Sequence, residues 1–100
     1  MNVIKRATLE AYWTRHPEVE QPLKTIFQEI SRAKWGCMND IQMAFPKAKV
    51  LNRERVRFEV CGGNYRLVVA FHFTGNIAFI KFIGTHTEYD RINVMTVGQY

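Results

Sequence analysis

The chain has 100 residues, of which 47% are hydrophobic and 23% are charged, and its formal net charge is +5. This length predicts a single domain that spans residues 1–100, and the apolar fraction excludes an intrinsically disordered chain. No apolar run approaches the roughly 20 residues that cross a bilayer, and the N-terminal residues lack the apolar stretch of a signal peptide. We therefore expect a globular, cytoplasmic protein that does not bind membranes.

The first half of the sequence has helical periodicity. Apolar residues recur every three or four positions over residues 9–16 and again over residues 23–33, which predicts two amphipathic helices. We expect Thr8 to cap the first helix and Gly36 to end the second. Three shorter elements are also predicted: a strand at Val3–Ile4, a helix capped by Asn39, and a helical turn over residues 88–91.

The second half changes to the two-residue period that is typical of strands. In residues 55–60, valine and phenylalanine alternate with arginine and glutamate, which predicts one apolar and one charged face. Glycine-containing turns at 62–64 and 74–76 separate this strand from two more, over residues 65–73 and 77–83. The pattern predicts an α+β fold, in which N-terminal helices pack on one face of a twisted antiparallel sheet of three to five strands.

Basic residues are concentrated between positions 47 and 57. A local basic field attracts polyanions, and the abundant polyanion of a cytoplasm is nucleic acid. Lysine and arginine also prevent a strand edge from pairing with another sheet, so the charge alone leaves both interpretations open. Because the helices can cover only one face of the sheet, we expect Arg57, Arg66 and His72 to lie on an open, basic face.

The residues after the last predicted strand carry several groups that are able to do chemistry: His86, Glu88, Tyr89 and Asp90. Histidine exchanges protons near neutral pH, and tyrosine stacks on bases. RNA contains its own nucleophile, the 2′-hydroxyl, so its cleavage needs only a proton acceptor, a proton donor and cationic stabilisation. Each of these residues also has a structural interpretation, as a turn cap, as rim packing or in an ion pair.

The two cysteines and three histidines show no spacing that is typical of a metal site. We expect free thiols, no metal and no cofactor.

Two motifs, Asn64–Val69 (NYRLVV) and Phe82–Asp90 (FIGTHTEYD), carry a family resemblance through their sequences and mutual spacing. Together they resemble the signature of HigB toxins, a branch of the RelE/ParE superfamily of bacterial toxin–antitoxin systems. Residues 11–17, 21–24 and 50–58 are also similar to that family, so the resemblance covers nearly the whole chain.

The resemblance implies a compact fold like that of the microbial ribonucleases. It implies an endoribonuclease that cleaves mRNA, usually during translation on the 70S ribosome, without a small-molecule cofactor. It also implies a cognate HigA antitoxin, typically a helix-turn-helix protein. None of these properties follows from composition.

The resemblance also suggests roles for particular residues. Arg66, His86 and Tyr89 match positions that line the RNA site in the superfamily, and Asp90 lies in the same motif, where it orders His86 or Tyr89. We expect these four residues to form the catalytic site. The RNA backbone is expected to bind the basic residues Lys47, Lys49, Arg53, Arg55 and Arg57.

Two positions depart from the family pattern, because Glu59 and Gly63 stand where the family often has asparagine. A carboxylate at position 59 either weakens phosphate binding or acts as a base.

Three alternatives to an mRNA nuclease also remain: a ParE-like inhibitor of DNA gyrase, a non-catalytic module that binds RNA or the ribosome, and a degraded toxin that keeps only antitoxin binding.

Overall fold

Helices occupy the first half of the chain and most strands the second, and the expected α+β class is confirmed. The structure, a computed structural model, describes residues 1–98. None of the helices in this range is long and apolar enough to cross a membrane. The elements in chain order are β1 (Asn2–Ile4), α1 (Arg6–Arg15), a 3₁₀ turn (Pro17–Val19), α2 (Glu20–Arg32), α3 (Met38–Ala44), β2 (Lys49–Val50), β3 (Arg55–Val60), β4 (Tyr65–His72), β5 (Ile77–Thr85) and α4 (His86–Tyr89).

The strands form one sheet of five, in the order β1-β5-β4-β3-β2. Strands β2 to β5 pair in sequence order as an antiparallel meander, as expected. Strand β1 was expected only as a short opening strand, and it pairs in parallel with β5. Strands β1 and β2 lie at opposite edges of the sheet. Helices α1, α2 and α3 form the connection between them.

The core lies between the helices and one face of the sheet. Alternate residues of the three long strands are buried there, as the period of two predicts. The ring of Phe58 is 2% exposed and lies with its centroid 5.0 Å from that of Phe45 and 6.3 Å from that of Phe71. The other fully buried side chains of this cluster include Leu9, Leu23, Ile30, Ile41, Val56, Val60, Leu67, Val69, Ile80 and Ile83.

Several predicted helix ends are wrong. Helix α1 follows β1 directly, with Lys5 at its N-cap, so Thr8 lies inside the helix. Helix α2 ends at Arg32 rather than at Gly36, because the backbone of Ala33 is extended and Trp35 turns inward to pack against the core. Packing therefore overrides the local signal.

The short helices are also displaced from their predicted positions. Helix α3 is capped by Cys37 instead of Asn39, and Asp40 accepts a hydrogen bond from the backbone of Gly36 at 2.9 Å. Helix α4 covers residues 86–89 rather than 88–91 because Thr85 caps it.

A register shift in β5 decides which of its side chains face the core. Val68 pairs with Phe82, whereas Val69 pairs with Ile80, so Lys81 is an extra residue in β5. An extra residue of this kind is a β-bulge, and it exchanges the faces of the residues that follow. As a result Ile83 joins the core, and Phe82 lies outside that cluster.

The sheet face opposite the helices is less open than predicted. Val68 and Phe82 on this face are buried, and the side chains of Arg57 and Arg66 are only 18% and 12% exposed. The C-terminal part of the chain accounts for this burial, since Tyr89 packs near Phe82 and residues 94–97 bind Arg55. The basic face is therefore half-buried under a thin C-terminal layer.

The aromatic core makes a prediction about stability. Replacing Phe58 with alanine removes a ring that packs against Phe45, which follows α3, and Phe71 of β4. We expect the free energy of unfolding to fall by about 3–5 kcal/mol. The exposed Met43→Ala is the control and should change it by less than about 0.5 kcal/mol. Urea denaturation measures both values, and equal effects of the two substitutions would contradict this description of the core.

Candidate functional site

Three strands place one residue each in a single row across the sheet. Glu59 of β3 is paired with Arg66 of β4, and Arg66 is paired with Gly84 of β5. Directly paired residues project from the same face of a sheet, so Arg66 lies between Glu59 and the end of β5. A Cβ atom at Gly84 would lie 2.6 Å from Cζ of Phe82 and 2.9 Å from Oε1 of Glu88. A side chain at position 84 would therefore displace the Phe82 ring or the Glu88 carboxylate where α4 meets β5.

The guanidinium of Arg66 is held from three sides. Its Nε donates a hydrogen bond to the carbonyl oxygen of Gly63 at 3.2 Å, and its Nη1 lies 3.9 Å from Oε1 of Glu59. Its Cζ lies 5.5 Å from the ring centroid of Tyr89, within the range of a cation–π contact. Gly63 has a φ of 95°, a conformation that glycine adopts without strain. These contacts fix a cation in the middle of the row.

Arg57 is the second cation of the site and shares the partners of Arg66. Its Nη2 lies 3.8 Å from Oε1 of Glu59, and its Cζ lies 5.8 Å from the ring centroid of Tyr89. Within residues 1–98, the buried Nε of Arg57 has no hydrogen-bond partner. Because two guanidinium groups share the carboxylate of Glu59, this part of the site keeps a net positive charge that suits a phosphate group.

A capping box fixes the position of His86. The Thr85 hydroxyl accepts a hydrogen bond from the backbone N–H of Glu88 at 3.1 Å, and Oε1 of Glu88 accepts one from the backbone N–H of Thr85 at 2.7 Å. The backbone N–H of His86 also donates to the carbonyl oxygen of Asn64 at 2.9 Å. The start of α4 is thus attached to the β3–β4 turn. The sequence signal for this arrangement was the T-x-x-E spacing of Thr85 and Glu88.

The carboxylate of Asp90 lies beside the imidazole of His86. Its Oδ2 lies 3.6 Å from Nδ1 of His86, and the two side chains are about half exposed. A contact on Nδ1 leaves Nε2 as the nitrogen that faces away from Asp90. His86 therefore combines a fixed backbone with a solvent-accessible imidazole.

A polar cavity of about 440 Å³ joins these groups. It brings together the ionisable side chains of Glu59, Arg66 and His86. A larger groove of about 820 Å³ lies between α2, the α3–β2 turn and β3, but its lining is mostly apolar. We place the candidate site at the smaller cavity because Arg66 and His86 line it and do not line the groove, whereas Glu59 borders both. Its remaining lining residues are Gly62, Gly63, Asn64, Thr85 and Thr87.

The structure brings the four residues expected at the catalytic site close together. Arg66 and His86 line the cavity, Tyr89 covers Arg66, and Asp90 contacts His86. Tyr89 lies beside two guanidinium groups and near Phe82, so its ring supports the cations of the site.

The five basic residues expected to bind RNA are more dispersed. Arg57 belongs to the site, and Lys49 is its pairing partner on β2, so both project from the same face. Nη1 of Arg55 donates hydrogen bonds to the carbonyl oxygens of Val94 and Val97 at 3.0 and 2.7 Å. Lys47 borders the apolar groove, and Arg53 is exposed in the β2–β3 loop.

The other two histidines have structural contacts. His16 stacks on Tyr12 at 4.3 Å between ring centroids and lies 3.9 Å from the carboxylate of Glu18. Glu18 accepts a hydrogen bond from the phenol of Tyr65, which lowers the pKa of Glu18 and raises the pKa of Tyr65. Nδ1 of His72 accepts a hydrogen bond from the backbone of Gly75 at 3.0 Å.

The capping box predicts a dependence of stability on pH. The hydrogen bond from the Thr85 backbone lowers the pKa of Glu88 below its ordinary value of 4.5. Since the pKa is lower in the folded state, this stabilisation is fully present above pH 4.5 and is lost as the pH falls through the folded-state pKa. We expect the melting temperature of Glu88→Gln to fall less steeply in acid than that of the wild type. The exposed Glu29→Gln is the control and should keep the wild-type slope, whereas equal slopes for all three proteins would contradict the assignment.

Comparisons with known proteins identify a family that covers most of the chain. The family HigB_toxin, a RelE-like toxic component of a toxin-antitoxin system, matches residues 19–92, a range that contains the cavity and α4. The mRNA interferase HigB of Escherichia coli O6:H1 strain CFT073 is 26% identical over 95 residues, which cover 92% of this chain and 91% of that protein. A toxin of this kind implies an antitoxin partner. The chain belongs to the HigB family of RelE-like toxins.

Proposed function

We propose that this chain is an mRNA interferase, an endoribonuclease that cleaves mRNA by metal-independent acid–base catalysis. The observation that supports this proposal best is the position of Arg66 and His86 in the walls of one polar cavity. An RNA phosphate in this cavity would meet a fixed cation and a proton donor or acceptor. The 2′-hydroxyl of the RNA supplies the nucleophile. The name of the similar E. coli protein, mRNA interferase, also supports this reaction.

Arg66 and Arg57 bind the phosphate and stabilise its transition state. Attack on phosphorus increases the negative charge on the non-bridging oxygens, and fixed guanidinium groups counter that charge without having to reorganise. Both side chains are mostly shielded from water, which strengthens their interaction with an anion. Lys49, next to Arg57 on β2, extends the positive surface toward the neighbouring nucleotide.

His86 transfers a proton during cleavage, with Asp90 as the group that orients it. A catalytic imidazole must reach a reacting oxygen, and the exposed position of His86 beside the cavity permits this. Tyr89 keeps Arg57 and Arg66 in place through its ring and orients the nucleotide at its solvent-facing edge.

The family to which the chain belongs is also the reason to include the ribosome and an antitoxin in the proposal. We propose that cleavage takes place on mRNA bound to the 70S ribosome, which holds the strand in place for a small and shallow site. We also propose that a HigA-type helix-turn-helix antitoxin neutralises the toxin. The likeness to a protein named HigB supports a HigA-type partner.

Induced expression in a bacterial host tests the function. We expect growth to stop together with translation, and full-length transcripts to be replaced by cleaved ones. The double variant His86→Ala/Tyr89→Ala should leave transcripts intact, because it removes the proton-transfer group and loosens both cations. His72→Ala is the matched control, since this histidine ends β4 and its Nδ1 accepts a hydrogen bond from the β4–β5 turn, outside the cavity, and it should cleave like the wild type.

Two results would contradict the proposal. If replication stops first, with an SOS response and intact transcripts, the chain acts like a gyrase inhibitor. If the double variant cleaves mRNA at the wild-type rate, His86 and Tyr89 have no part in the reaction. Purified chain with mRNA in the presence and absence of ribosomes then separates ribosome-dependent cleavage, which we expect, from that of a free ribonuclease.

A further inference from the structure

A carboxylate in a phosphate site requires an explanation. Glu59 lines the same cavity as Arg66 and His86, and its side chain is 36% exposed. A negative charge at this position repels a phosphate group. If the site only bound RNA, Glu59 would weaken that function.

The ion pairs of Glu59 are too long to be simple clamps for the arginines. Its Oε1 lies 3.8 Å from Nη2 of Arg57 and 3.9 Å from Nη1 of Arg66. A carboxylate that fixes an arginine accepts hydrogen bonds at about 2.7–2.9 Å, often two at once. Arg66 is fixed instead by its hydrogen bond to Gly63. The carboxylate thus lies near the cations without occupying their donors.

The strand pairing places Glu59 and His86 on different sides of a phosphate that binds to Arg66. Glu59, Arg66 and Gly84 are paired across three strands, and two strand spacings amount to about 10 Å. His86 is the residue that directly follows Thr85, the last residue of β5. A phosphate on Arg66 would therefore have the carboxylate on the β3 side and the imidazole on the β5 side. An in-line displacement places the attacking and leaving oxygens on opposite sides of phosphorus.

We propose that Glu59 is a further catalytic residue, the proton acceptor for the RNA 2′-hydroxyl. This inference rests on the proposed function. The Glu59 carboxylate takes the proton of the 2′-hydroxyl as the 2′-oxygen forms a bond to the adjacent phosphorus. The bond from phosphorus to the 5′-oxygen breaks, and the protonated imidazole of His86 gives its proton to that oxygen. The products are a 2′,3′-cyclic phosphate and a 5′-hydroxyl, and solvent returns Glu59 and His86 to their starting states.

The isosteric substitution Glu59→Gln separates this role from a purely electrostatic one. Glutamine removes both the proton acceptor and the negative charge. We expect cleavage under saturating mRNA to fall by about 10²–10⁴-fold, the usual contribution of general acid–base catalysis. The affinity for an RNA with 2′-deoxy nucleotides, which cannot react, should rise because the repulsion is gone. Glu29→Gln makes the same charge change on α2 and should alter neither quantity.

The outcomes distinguish the inference from the function on which it rests. If wild type cleaves mRNA and Glu59→Gln cleaves as fast or faster, Glu59 is not the base, while the nuclease function stands. If rate and affinity fall together in Glu59→Gln, the residue supports the site structurally and the inference is also overturned. If wild type itself leaves mRNA intact under translation, the proposed function fails. Melting temperatures of the variants verify that each one is folded.

Discussion

The burial of the Arg66 guanidinium is the constraint on which the rest of the site depends. A cation that is 12% exposed is stable only with partners that replace water. Three parts of the chain supply them: the β3–β4 turn through Gly63, strand β3 through Glu59, and helix α4 through the ring of Tyr89. The hydrogen bond to Gly63 and the ring of Tyr89 fix the cation, so the turn and the helix act as one unit, and the Glu59 carboxylate balances its charge from 3.9 Å.

Strand β5 determines where α4 meets this unit. The extra residue Lys81 places Phe82 against Tyr89 and aligns Gly84 with Arg66. The capping box of Thr85 and Glu88 then begins α4 directly at the strand end. His86 is consequently delivered to the cavity by backbone hydrogen bonds, and its imidazole is about half exposed.

The layering and the main strands were predictable from the sequence because they depend on local periodicity. The alternation of residues 55–60 correctly places Arg57 and Glu59 on one face. Helix ends were less predictable. Thr8 has the composition of a good cap, but the position of β1 decides where α1 begins. Asn39 is also a good cap by composition, but Cys37 is the N-cap of α3. The packing around Trp35 decides where α2 ends.

The site was only partly predictable, for a related reason. The short motifs identified Arg66, His86, Tyr89 and Asp90, which lie near one another. The row that joins Glu59 to Arg66 and Gly84 depends on strand register and on a bulge, and neither has a clear signal in one sequence. The tie between Arg55 and residues 94–97 is a contact over long sequence distance that periodicity does not reveal.

A structure of the chain bound to mRNA with a single 2′-deoxy nucleotide at the cleavage position, on the ribosome if cleavage requires it, tests the central claim most directly. We predict that the phosphate after this nucleotide lies within hydrogen-bond distance of the Arg66 guanidinium, with Glu59 toward the modified sugar and His86 toward the leaving oxygen. A phosphate bound away from Arg66, for example in the apolar groove between α2 and β3 or on Lys47 and Arg53 alone, would contradict the account.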